Sequence, residues 1–153
     1  MGFYSEVIVP RLVTCACGTK PILKQRQKVV PLAKGAVLEI GMGAGHNLPY
    51  YDSNIVTSLV GIDPCPTSWR LAQPRAKALG MPLEFVEGSA ESMPLPDAHF
   101  DTVLMTYSLC TIPDARAALA EMYRVLKPGG RLVFCEHGEA PDASVAQWQR
   151  RVN

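Results

Sequence analysis

The stretch Val37-Leu38-Glu39-Ile40-Gly41-Met42-Gly43-Ala44-Gly45 joins an apolar run to a turn with glycine at alternate positions. Ala36 to Ile40 is apolar apart from Glu39, as in a strand of a parallel sheet covered on both faces. A glycine has no Cβ, so the turn can adopt positive φ and let a ligand lie on its backbone, while a following helix N-terminus offers amide donors. A nucleotide-like ligand is the expected guest. About twenty residues on, Ser58-Leu59-Val60-Gly61-Ile62-Asp63 reads as a second apolar strand ending in a carboxylate able to accept from both ribose hydroxyls.

A nicotinamide dinucleotide fingerprint, Gly-x-Gly-x-x-Gly, would need glycine where His46 stands. Asp63 serves that reading and a mononucleotide-like one equally. The motifs further along separate them. Glu39-x-Gly-x-Gly-x-Gly45 resembles the first motif of class I S-adenosylmethionine-dependent methyltransferases. Glu87-Gly88-Ser89-Ala90-Glu91 resembles that family's adenine-edge loop, Phe100 to Thr106 its fourth strand, and Leu126-Lys127-Pro128-Gly129-Gly130 to Phe134 its fifth. The resemblance covers about residues 36 to 137. Within the family, Gly88-Ser89-Ala90-Glu91, Ser108-Leu109-Cys110-Thr111-Ile112-Pro113 and Cys135-Glu136-His137 are most similar to small lipid, quinone and thiol methyltransferases.

The resemblance implies S-adenosylmethionine as cofactor, S-adenosylhomocysteine as product, and a small, rather apolar acceptor. It assigns the cofactor to Glu39, Gly41, Met42, Gly43, Gly45, Asn47, Asp63, Pro64, Ser89, Ala90, Glu91 and Thr106. Gly41 and Gly43 are expected at the methionine part, Asp63 at the ribose, Pro64 or Cys65 on the adenine, and Ser89 and Ala90 at its edge. Ser89 stands where many relatives carry aspartate. Glu39 is expected to tie down the backbone amides of the glycine turn, with a neutral buried carboxyl as the alternative. For an acceptor that must lose a proton, His137 is the candidate catalytic base, followed by His46 and Tyr107, because ligands in open α/β sheets gather at the carboxyl ends of strands. His99 reads as a surface residue. Two other readings remain beside methyl transfer: a cofactor-binding or regulatory remnant without turnover and, more remotely, a nicotinamide-dependent oxidoreductase.

Strands near residues 36, 57, 83, 101 and 131 alternate with helical stretches, which calls for an α/β fold: a Rossmann-like parallel sheet of about five strands with helices on both faces. The family's last two strands are missing from this order, so the open edge of the fifth strand is expected to pair with a second copy. Residues 1–35 read as an N-terminal helical arm that lids the substrate pocket through Phe3, Tyr4 and the Cys15 region, and 36–153 as the cofactor-binding domain. Pro10 and Pro21 divide the arm, and Ile22 to Leu32 forms an amphipathic helix. A helix is expected to begin at His46 to Tyr51. Another, from Thr67 to Leu79, is expected to kink or split at Pro74. Asp114 is an N-cap, and Leu119, Met122, Tyr123 and Leu126 form a core stripe on a helix that Pro128-Gly129-Gly130 ends.

With 153 residues and 48% hydrophobic content, the chain can bury one core and no second domain is indicated. No apolar run reaches a membrane span, and the N-terminus lacks a signal-peptide pattern, so a cytoplasmic protein is expected. The five cysteines, Cys15, Cys17, Cys65, Cys110 and Cys135, read as reduced thiols rather than disulfide or metal ligands. Residues 1–34 carry about +5 of charge against about −4 in the remainder. This basic arm reads as a solvated helix face, with weak contact to an anionic membrane surface as the alternative; no stacking platform accompanies it, and no nucleic-acid partner is expected.

Overall fold

The computed structural model describes residues 18–138 and Gln147. Helix α1 (Lys20–Val29) carries Pro21 in its first turn, where the missing N–H costs nothing, so this proline starts the helix instead of breaking it. The chain then tightens into a 3-10 turn at Val30–Leu32. Five strands follow: β1 (Gly35–Ile40), β2 (Val56–Asp63), β3 (Leu83–Glu87), β4 (Phe100–Thr106) and β5 (Leu126–Cys135). Helix α2 (Pro66–Ala78) links β2 to β3, and α3 (Ala115–Val125) links β4 to β5. Every strand pair is parallel and the order is β3-β2-β1-β4-β5. The order reverses between β1 and β4, which opens a crevice at their carboxyl ends.

Two-residue alternation sorts the side chains between two apolar layers. Leu38 and Ile40 of β1 join Val103 and Met105 of β4 against Ala118, Met122 and Val125 of α3. On the opposite face Val37 and Leu104 pack with Val30, Ala33, Leu48 and Leu59, and Trp69 of α2 and Leu79 just after it close that layer. Helices therefore cover both faces, as expected. Val30 and Ala33, which precede the expected domain boundary at residue 35, lie in this core with Val37.

Several local expectations are corrected. After Gly45 the chain makes only a 3-10 turn at Leu48–Tyr50, because Tyr51 is already extended and β2 begins at Val56. Helix α2 is not split at Pro74 but runs as one element from Pro66 to Ala78. Asp114 does cap α3, accepting from the N–H groups of Arg116 (3.1 Å) and Ala117 (3.0 Å). The apolar stripe of α3, however, is rotated from the expected one. Met122 is 1% exposed, whereas Leu119 and Tyr123 are 42% and 83% exposed. Ala118, Met122 and Val125 recur at the same helical spacing, and that face meets the sheet. The helix also stops at Val125, ahead of Pro128, and β5 begins at once with a register shift opposite Phe100 and Thr102.

Candidate functional site

A cavity of about 590 Å³ opens at the carboxyl ends of β1, β2 and β4, within the size range of small-molecule sites. Gly41 and Gly43 form its floor with φ of +64° and +55°. A Cβ on Gly41 would run into Ser108 Oγ, while one on Gly43 would meet no atom nearer than 3.8 Å and so would stand in the crevice. The turn thus offers bare backbone to a ligand.

Of the residues expected at the cofactor, Gly41, Met42, Gly43, Asp63, Pro64, Ser89, Ala90, Glu91 and Thr106 line this cavity. Asp63, 8% exposed, receives the Gly43 N–H on Oδ2 (2.9 Å) and the Cys65 N–H on Oδ1 (2.9 Å). Burial raises its pKa and those two donors pull it back. Both oxygens keep a lone pair for a further donor. Ser89 Oγ donates to the Glu91 carboxylate, which fixes the adenine-edge loop from within.

Glu39, Gly45 and Asn47 lie behind the floor. Gly45 is buried, and a Cβ there would meet Leu48 Cδ1 at 2.7 Å and Ala72 Cβ at 3.1 Å, so its bareness serves the packing of the turn on α2. Glu39 does not hold loop amides. The pleat turns it to the α1 and α2 side, where it accepts from Asn47 Nδ2 (2.9 Å) and the Tyr51 hydroxyl (2.7 Å). Burial pushes its pKa up to about 7, against the pull of Tyr51, Arg26 and Asn47. Asn47 passes the network on: its Oδ1 accepts from Arg26 Nη1 (2.7 Å) and its Nδ2 also donates to Thr106 Oγ1 (2.9 Å).

His137 is exposed and does not line the cavity; its ring packs against Tyr107, 4.7 Å between centroids. Tyr107 does line it, at a positive φ of 55° that a bulky residue rarely adopts. Burial and neighbouring Cys135, whose Sγ donates to the phenol oxygen at 3.5 Å, push the Tyr107 pKa up to about 12. Tyr107 is therefore protonated at neutral pH and unfit as a base. His46 lines the cavity, and His99 is exposed, T-shaped against Phe100. The wall from Tyr107 to Pro113 is anchored where Glu136 Oε1 accepts the Ser108 N–H (3.0 Å). Thr111, Ile112 and Pro113 give this side an apolar character.

Arg26 is the charged lining residue that sequence reasoning missed. It reads as part of the basic arm, yet it is 5% exposed and reaches the cavity from α1. A signal was present, because Ile22, Arg26 and Val30 share one helical face and a lone cation on an apolar stripe is unusual. Phe3, Tyr4, Cys15 and Cys17 fall outside the described residues.

Residues 38–134 match the family model described as a methyltransferase domain. The chain is 34% identical over 124 residues to a demethylmenaquinone methyltransferase of Thermus thermophilus, covering 78% of this chain and 56% of that protein. It is 37% identical over 118 residues to the thiol S-methyltransferase TMT1B of Rattus norvegicus, covering 74% and 48%. The crystal structure of the Bacillus subtilis YcgJ protein superimposes with a TM-score of 0.69 at 30% identity, over 86% of this chain and 56% of that one. The chain spans about half the length of these relatives.

Proposed function

The chain belongs to the class I S-adenosylmethionine-dependent methyltransferases, and on that premise we propose that it binds S-adenosylmethionine in the β1-β2-β4 crevice and methylates a small, rather apolar acceptor. The observation that carries this reading is the combination of the glycine floor with the buried Asp63 carboxylate at its β2 flank. The residues fit the cofactor. Bare backbone at Gly41 and Gly43 accommodates the methionine part, Asp63 has lone pairs for ribose hydroxyls, and Pro64, Cys65, Ser89 and Ala90 line the cavity where a base can pack.

When bound, the cofactor supplies a methyl group on a positively charged sulfur, already activated for in-line displacement. What remains for the chain is to orient two partners and exclude water. The wall of Ile112, Pro113 and the Tyr107 ring favours an apolar acceptor, in keeping with the quinone and thiol chemistry named for the relatives. For a protonated acceptor, this reading offers His46, which lines the cavity, ahead of His137, which packs on the Tyr107 ring outside the lining. The same reading keeps the arm as a lid and includes a cytoplasmic setting, which the free thiols Cys65, Cys110 and Cys135 support. It also includes a homodimer through β5, an outer strand of the sheet on which Phe134 is 63% exposed. Lys20, Lys24 and Lys28 recur every four residues on the exposed face of α1, and this spacing suits a weak anionic surface contact.

Calorimetric titration of the chain with S-adenosylmethionine and S-adenosylhomocysteine tests the proposal. We expect binding by the parent and a loss of about tenfold to a hundredfold in Asp63→Ala, the size of a lost charge-assisted pair of hydrogen bonds. Absence of binding by the folded parent overturns the reading. Binding then justifies a screen of thiol, quinone and lipid acceptors.

A further inference from the structure

The β4 flank of the cavity carries a charge that the cofactor motifs leave unexplained. Arg26 sits in the inner face of α1, and the helix presses this residue against the ends of β1 and β4. Nη1 donates to Asn47 Oδ1 (2.7 Å) and Thr106 Oγ1 (2.6 Å), and the guanidinium carbon stands 5.2 Å from the Tyr107 ring centroid. These contacts fix the plane of the group without neutralising it. Nε is buried with no hydrogen-bond partner among the described residues, and no ion pair to Arg26 occurs among them. Glu39 makes no direct hydrogen bond to Arg26, since Asn47 stands between them, and burial keeps the Glu39 pKa raised to about 7 against the pull of the Arg26 charge. A nearly buried guanidinium that lines a cavity and has no carboxylate paired with it among the described residues is costly unless an anion completes it.

Strand order locates that anion. Neighbouring strands lie about 4.8 Å apart, so Asp63 at the end of β2 and Thr106 at the end of β4 are roughly 10 Å apart across Gly41. The cavity is thus acidic on one flank and cationic on the other. A ligand whose hydroxyls engage Asp63 turns its far end toward Arg26. The single anionic group of the methyl donor is the α-carboxylate of its methionine half.

We propose that Arg26 is the receptor for the α-carboxylate of the donor's methionine half, held in aim by Asn47 and Thr106 as positioning residues. The assignment rests on the cofactor reading above and deepens it. It places a cofactor contact on α1, before the start of the region that matches the family model at residue 38. Asn47 gains a defined role from it. The carbonyl of Asn47 faces Arg26 while its amide holds Glu39 and Thr106, so one side chain orients the cation and ties it to the interior.

The test is calorimetry of the parent, Arg26→Gln and Arg26→Lys with three ligands: S-adenosylhomocysteine, its decarboxylated analogue, and 5′-methylthioadenosine, which lacks the amino-acid end. In the parent, loss of the carboxylate is expected to weaken binding about tenfold to a hundredfold, the range of a hydrogen-bonded charge pair. Arg26→Gln is expected to lose the same factor for S-adenosylhomocysteine and almost nothing for the other two ligands, so the double-mutant cycle closes on one interaction. Arg26→Lys keeps the charge but not the planar fork and is expected between the two. Equal affinity of the parent for S-adenosylhomocysteine and its decarboxylated analogue overturns the assignment even if neither variant folds. A uniform loss across all three ligands in Arg26→Gln overturns it in favour of a structural role. Unchanged S-adenosylhomocysteine binding in that variant overturns it too, and leaves Arg26 to an anionic acceptor. A parent that binds none of the three overturns the cofactor reading itself, and the assignment with it.

Discussion

Replacing Glu39 by glutamine should change how stability depends on pH, in a direction opposite to that of most carboxylates. Glu39 is 1% exposed on β1, and burial lifts its pKa from the ordinary 4.5 to about 7. The folded protein therefore keeps this proton up to near neutrality, while the unfolded chain gives it up near 4.5. Protons are bound more tightly by the folded state, so the contribution of Glu39 is fully present below about pH 4.5 and is lost as pH rises through about 7. At about 1.4 kcal/mol for each pH unit between the two values, ionisation of the buried carboxyl costs about 3 kcal/mol above about pH 7. Glutamine cannot ionise. It can still accept from Asn47, and its amide can donate to the Tyr51 oxygen. Chemical denaturation of parent and Glu39→Gln from about pH 5 to about pH 8.5 measures the difference directly, because the other titrating groups are common to both. We expect near-equality at about pH 5 and a relative gain for the variant of about 3 kcal/mol at about pH 8, or roughly 6–12 °C in melting temperature for a chain of this size. Parallel stability curves across this range would show that Glu39 does not hold its proton in the fold and would refute the argument.

Gly41→Ala should destabilise the chain by about 2 kcal/mol or more, since it forces a side chain into left-handed backbone and against Ser108 Oγ; a melting curve matching the parent's would contradict the turn geometry. Met122→Ala should cost about 2–5 kcal/mol, while Tyr123→Ala one residue along should stay within about 0.5 kcal/mol. Denaturant midpoints of this pair check the rotation of α3 directly, and the reverse ranking would restore the stripe read from the sequence.

The alternation of strands and helices, the parallel order and the glycine floor were legible in the sequence because each depends on local chemistry. Short apolar runs make buried strands, alternate glycines make a turn that exposes backbone, and Asp114 caps a helix through its own next residues. The cavity lining at Gly41, Gly43, Asp63, Ser89 and Thr106 followed for the same reason, since these residues lie at or just beyond the ends of strands whose carboxyl ends converge. Three features were beyond local reading. The phase of α3 was settled by which of two overlapping apolar faces the sheet could cover, and Ala118, Met122 and Val125 fit where Leu119 and Tyr123 would not. Glu39 found its partners in Asn47 and Tyr51 because the pleat of β1 points it toward the turn beyond Gly45, away from the loop amides. Arg26, one of six basic residues in the first 34, became part of the cavity only when α1 packed beside Asn47 and Thr106, 21 and 80 residues away along the chain. Sequence by itself determined the strands, the turn and the carboxylate, which local conformation fixes. Tertiary structure alone decided which charge meets which, because burial, and with it the cost of an unpaired ion, exists only after distant elements have packed.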